Sequence, residues 1–156
     1  MRYAQGTVVT PDRSKAEIER TLARYGASAF VYGVRPDQAV IQFAMGNRSI
    51  RFHLPFKGWQ DFKLSTKGRS RRDTAAQKVW EVDIRQRWRA LALVLKAKLE
   101  AVEAGITTFE EEFLAHVLLP GGRTVWEETR EKIHLAYESG KVPEMLLGFS
   151  ESKVKK

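Results

Sequence analysis

Cysteine is absent from this chain of 156 residues. That removes disulfides, thiol catalysis and cysteine-held zinc or iron–sulfur sites, and it fits a reducing compartment. Histidine is scarce, with three in the chain. Glu112 and His116 stand one helical turn apart and could share a metal, but two donors without a third leave a site incomplete. His134 beside Glu131 or Glu138 is equally ordinary, so neither a metal nor any other cofactor is expected. No apolar run approaches the ~20 residues that cross a bilayer, and the N-terminus MRYAQGTVVTPDRSKAE lacks an apolar signal core. The expectation is a soluble cytoplasmic protein with no membrane association. There is also no Walker A loop, no G-x-S-x-G elbow and no nucleophile–base spacing. Glu110, Glu111 and Glu112 fall in a first helical turn, where the helix dipole favours negative charge, and Pro120-Gly121-Gly122-Arg123 reads as a helix–helix turn. Catalysis is not indicated.

What remains is a chain built to fold. Hydrophobic residues make up 43%, including four Trp and eight Phe, enough for a core in one domain of ordinary size. That domain is expected to span 1–150, with 151–156 as a disordered basic tail. Ser14-Lys15-Ala16-Glu17 has the pattern of a capping box, followed by Ile18, Leu22 and Tyr25 on one face, and predicts a helix over 15–25. Three strand-like runs follow at 27–33, 39–45 and 48–54. Arg35-Pro36-Asp37-Gln38 turns between the first two, and Gly46-Asn47 forms a tight hairpin between the others. In the third run Ile50, Phe52 and Leu54 alternate with Ser49, Arg51 and His53, giving one packed face and one open, partly basic face.

The longest periodic signal comes next. Trp80, Ile84, Trp88, Leu91, Leu95, Leu99 and Val102 recur at helical spacing and predict a helix over 75–104. A short helix should open at Thr108 and run to about residue 118, and another should run from the Thr124–Glu127 box to about residue 139. The order is α-β-β-β-α with two shorter C-terminal helices. It implies an α+β fold around an antiparallel three-stranded meander.

Charge is segregated along this frame. Eleven Lys or Arg against three acidic residues fall between Lys63 and Lys98, which equals the chain's whole excess of +8. From Leu99 to Ser139 nine Glu face three basic residues. On the long helix Lys78, Arg85, Arg89 and Lys96 fall 7, 4 and 7 residues apart and form one row beside the apolar stripe. Arg87 and Lys98 flank its other side. Such a row repels itself by a few tenths of a kcal/mol per neighbouring pair, and phosphates would offset that by releasing counterions. Alternatively the row pairs with the Glu-rich C-terminal helices. The connection over 57–74 contains STKGRSRRDT and reads as a mobile basic loop. In it Lys67, Arg69, Arg71 and Arg72 could grip a sugar–phosphate backbone. Arg48, Arg51 and His53 would line the sheet side of that groove. Phe30, Tyr32 and Phe43 offer stacking platforms, or they are core.

The stretch RQRWRALALVLKAKLEAVEAGITTFEEEFLAHVLLPGGRTVWE (Arg85–Glu127), with RYGASAFVYG (Arg24–Gly33) and IRFHLP (Ile50–Pro55), resembles a family of small uncharacterised bacteriophage and prophage proteins. The resemblance implies a mobile-element context and carries no activity with it. The element order is also similar to the double-stranded-RNA-binding domain and to the core of single-strand annealing recombinases. The first lacks its Lys-Lys-x-Ala-Lys-type cluster here. The second would use Arg51, Arg71, Arg72, Lys78 and Arg85 to line a groove for single strands. The expected function is therefore a non-enzymatic accessory protein of recombination, replication or annealing. It would bind nucleic acid, DNA before RNA, in single- or double-stranded form. The alternative is a phage counter-defence inhibitor or adaptor that docks on a host protein. Self-association along the Trp/Leu stripe would make a homo-oligomer.

Overall fold

The computed structural model describes residues 11–142; the expected basic tail at 151–156 lies outside them. Helix α1 (Pro11–Arg24) begins earlier than the Ser14–Glu17 pattern implies. Proline in a first helical turn forfeits no hydrogen bond, because that N–H has no partner within the helix. Ser14 is consequently one turn inside α1, fully buried, and its hydroxyl has no hydrogen-bond partner among the described residues. The capping box expected there does not form. Gly26, at φ +95, turns the chain out of the helix.

The meander follows as the alternation requires. β1 (Ala27–Val34), β2 (Gln38–Met45) and β3 (Arg48–Pro55) form an antiparallel sheet in the order β1-β2-β3. Gly46 takes φ +58 in the two-residue connection, a conformation that tight hairpins need and β-carbons resist. Opposite residues share a face, so Phe30 with Phe43, Tyr32 with Ile41, Phe43 with Ile50 and Ile41 with Phe52 build one apolar surface. Phe30, Tyr32 and Phe43 are thereby core residues rather than open platforms.

Helix α2 (Asp73–Glu103) lies across that surface and buries Trp88, Leu91, Ala92, Leu95 and Leu99, while α1 adds Ile18 and Leu22 to the same core. Each large apolar side chain so buried contributes roughly 1.5–3 kcal/mol. Trp80, Ile84 and Val102, at the ends of the expected stripe, are half-buried. Trp80 also donates its indole N–H to the Lys57 carbonyl at 2.8 Å. The middle of the stripe, from Trp88 to Leu99, is spent on the core. After Gly105 comes the short helix α3 (Phe109–Phe113), capped by Thr108 and Glu111. Phe113 is fully buried, with its ring 6.2 Å from Phe43 and 6.3 Å from Phe52. A 3-10 turn at Leu114–His116 follows. Helix α4 (Val125–Ser139) starts from a second reciprocal cap between Thr124 and Glu127.

One pairing has no counterpart in the sequence pattern. Val117 bridges antiparallel to Ile50, and the Leu118 N–H donates to the Ser49 carbonyl at 2.8 Å. This short segment covers the outer edge of β3, while among the described residues none pairs with the outer edge of β1. No helix in the described residues is long and apolar enough to cross a membrane.

Candidate nucleic-acid interface

The ten-residue stretch STKGRSRRDT is folded rather than strung out. Leu64 bridges antiparallel to Ser70. Inside that bridge Ser65 N–H donates to Arg69 O at 2.8 Å, and Gly68 N–H donates to Ser65 O at 2.9 Å, with Gly68 at φ +72. Below it Arg71 N–H donates to Lys63 O at 2.7 Å. The Arg71 guanidinium is spent on the same turn, donating to Phe62 O at 2.9 Å and Leu64 O at 3.1 Å. Lys63 pairs with Asp73 at 3.1 Å, which ties the turn to the start of α2. Lys67 and Arg69 are left exposed at its tip, and Arg72 is exposed just before α2.

Along α2 the two flanks of the apolar stripe behave differently. On one flank the cations are consumed internally. Arg87 pairs with Asp83 and donates to Pro55 O at 3.0 Å; Lys98 binds the Glu112 carboxylate at 2.8 Å and its carbonyl at 2.9 Å. On the other flank lies the row of Lys78, Arg85, Arg89 and Lys96, of which Arg89 meets α1. Only Arg89 of this row has an ion-pair partner among the described residues, Glu17 of α1. Lys78 and Lys96 are exposed and Arg85 is half-exposed.

Helix α1 contributes what spacing on α2 alone cannot reveal. Arg13, Glu17 and Arg20 recur at i, i+4 and i+7 and face Arg89, so that these four residues line a groove of about 380 Å³ between the two helices. The lining thus holds three guanidinium groups and one carboxylate. Arg20 and the exposed members of the α2 row extend it into a basic seam. Sequence reading missed Arg13 and Arg20; the i, i+4, i+7 spacing on a helix beside a second basic helix was the available signal. The seam ends where α1 does. There the Tyr25 hydroxyl donates to Glu103 at 2.9 Å, and Glu100 and Glu103 make the surface acidic.

The sheet-side residues lie elsewhere. Arg51 alternates with the buried Ile50 and Phe52 and so projects from the face opposite the helices. Its guanidinium donates to Gly122 O at 2.9 Å and to Gln42 Oε1 at 3.3 Å. Next to it His53 is 3.6 Å from Glu127, whose carboxyl is held below the ordinary range chiefly by the Thr124 backbone N–H. Arg48 shares the face of Ile50, at the hairpin end of β3, and is exposed. The ten expected ligands of a polyanion therefore form no single groove. Lys78, Arg85, Arg89 and Lys96 lie along the helical seam, and Lys67, Arg69 and Arg72 cluster at the start of α2. Arg71 and Arg51 hold neighbouring backbone, and Arg48 stands apart.

Glu112 and His116 are occupied separately. The Glu112 carboxylate is on Lys98, and the His116 ring stacks on Phe52 with centroids 3.8 Å apart. Among the described residues no group of three or more His, Asp or Glu is gathered as a metal would need. The fold and this seam define an α+β protein with a basic two-helix surface. No family model matches the chain, and neither a curated protein nor a solved structure matches it.

Proposed function

We propose that the chain is a non-enzymatic nucleic-acid-binding accessory protein, with the α1–α2 seam as the surface that meets the phosphate backbone. The observation that carries this reading is the separation of the two flanks of α2. Arg87 and Lys98 are neutralised within the protein, whereas Lys78, Arg85 and Lys96, with Glu81 and Glu100 at helical spacing from them, make no ion pair among the described residues, and Arg89 lines the groove against α1. A cation row that repels itself gains from a polyanion what it lacks inside the fold. The exposed Lys67, Arg69 and Arg72 extend the same surface toward the N-terminal end of α2. DNA in a recombination, replication or annealing role is the form of this reading proposed, and its phage setting rests on the family resemblance alone.

Titration of labelled single-stranded oligonucleotides tests it. For single strands the logarithm of the binding constant falls with the logarithm of salt at roughly −0.7 per neutralised phosphate. Four contacts along the seam give a slope of about −3 on that basis. No binding at micromolar protein and low salt would refute the proposal.

A second reading, a protein-binding inhibitor or adaptor, draws on α4. That helix meets the rest of the described fold mainly at the Leu114–His116 turn, and it leaves Trp126, Leu135 and Tyr137 exposed, the last at 88%. Co-purification from nuclease-treated host lysate separates the two. A stoichiometric protein partner that survives nuclease favours the adaptor, and loss of every partner favours nucleic acid.

A further inference from the structure

Among the described residues the sheet has one protected edge and one bare edge. At β3 the Val117–Leu118 segment takes up outward-facing backbone groups. At β1 no described segment does so, and the strand carries neither charge nor proline. Natural edges are blunted with charge, proline or shortness, yet ASAFVYGV spans eight residues with neither a charged residue nor a proline. Its bulge is confined to Ala27–Ala29, and pairing with β2 is regular from Ala29 to Val34. Val31 and Val34 are 61% and 59% exposed.

We propose that two copies of this chain pair antiparallel through their β1 edges, with Val31 opposite Val31 on the twofold axis. The register follows from the pleat. Residues directly opposite in an antiparallel pair lie on the same face. A symmetric pairing must therefore be centred on a residue; Val31 and Tyr32 flank the middle of the regular stretch, and Tyr32 is committed to α1 through its hydroxyl's bond to the Lys15 carbonyl, which leaves Val31. Phe30 then stands opposite the partner's Tyr32, twice, on the helical face, and Ala29 stands opposite the partner's Gly33. From 29 to 33 every pair is apolar with apolar, Ser28 stands opposite the partner's Val34, and no like charges meet between 28 and 34. This self-complementarity is what an isologous interface demands, and it selects a second copy over an arbitrary extended peptide.

A groove of about 200 Å³ lies between α1 and the strand, lined mostly by small or apolar residues, with Glu19 on the α1 side. The pairing makes one six-stranded sheet and keeps all α1 and α2 helices on one face, because the twofold axis stands perpendicular to the sheet. The two basic seams then share one side of the dimer. The proposal does not depend on what those seams bind.

Solution mass at moderate salt, where repulsion between two chains of net charge +8 is screened, provides the test. The wild type and Val31→Thr are expected at twice the chain mass. Val31→Lys and Val31→Glu, each alone, put like charges on the axis and are expected at the monomer mass. Mixing Val31→Lys with Val31→Glu is expected to restore a one-to-one dimer. A monomeric wild type would overturn the proposal and leave the edge to another kind of strand. A Val31→Lys variant that stays dimeric would move the interface elsewhere, and a mixture that stays monomeric would reject the register. Circular dichroism on each variant confirms that this exposed position tolerates the change.

Discussion

At His116 a single ring couples the short C-terminal helices to the sheet. It is half-buried and stacked on Phe52 at an interplanar angle of 18°. Burial holds its pKa below that of an ordinary imidazole. The nearby Lys98 and His53 push in the same direction, and a hydrogen bond to the Arg51 backbone partly opposes them. The sign follows from linkage. In the unfolded chain this ring takes up its proton near pH ~6.5, whereas in the folded protein it does so only at lower pH. The unfolded state therefore binds more protons as pH falls below that value, and stability is lost through the folded pKa. Denaturant midpoints measured between about pH 7.5 and 5.5 should decline, and His116→Phe, which keeps a ring against Phe52, should flatten the decline. An equal decline in both proteins would remove His116 as its cause.

Among the elements, those with an internal period were legible in the sequence. The apolar stripe of α2, the alternation of β3, the Gly46-Asn47 hairpin and the Thr108 and Thr124 boxes each encode their structure within a few residues. Ser14-Lys15-Ala16-Glu17 carries the same box pattern and fails, because Pro11 opens a helix that swallows it. Contacts between distant segments left no such trace. Glu17 with Arg89, Val117 with Ile50 and Arg51 with Gly122 depend on how layers stack, and no spacing rule reports that. The basic turn is the intermediate case: its composition marked it as polar and charged, but its internal bridge rests on backbone bonds and on Arg71. Arg71→Ala should lower stability by about 1 kcal/mol, since it orphans the Phe62 and Leu64 carbonyls of the turn. Lys67→Ala and Arg69→Ala should stay within about 0.5 kcal/mol of wild type, because neither side chain has a partner in the turn. Denaturant unfolding of the three variants distinguishes a structural arginine from its exposed neighbours.

The whole molecule divides its charge by side as well as by segment. Cations line the face where α1 meets α2. Carboxylates crowd α3, the start of α4 and the far end of the seam, and the open sheet face keeps Arg51 and His53 engaged with the 122–127 region. This division makes the two faces separable by experiment. Arg20 and Lys96 are exposed and make no ion pair among the described residues, so Arg20→Glu with Lys96→Glu should leave folding intact. If both meet phosphates, the double variant loses two neutralised charges, and the salt slope for a single-stranded oligonucleotide should shrink by about 1.4. Arg51→Ala should do the reverse. It frees the Gly122 carbonyl and Gln42, lowers the unfolding midpoint, and leaves the salt slope where it was. If instead Arg51→Ala flattens the slope and the seam variant does not, the nucleic acid lies on the sheet and the basic helical seam serves another partner.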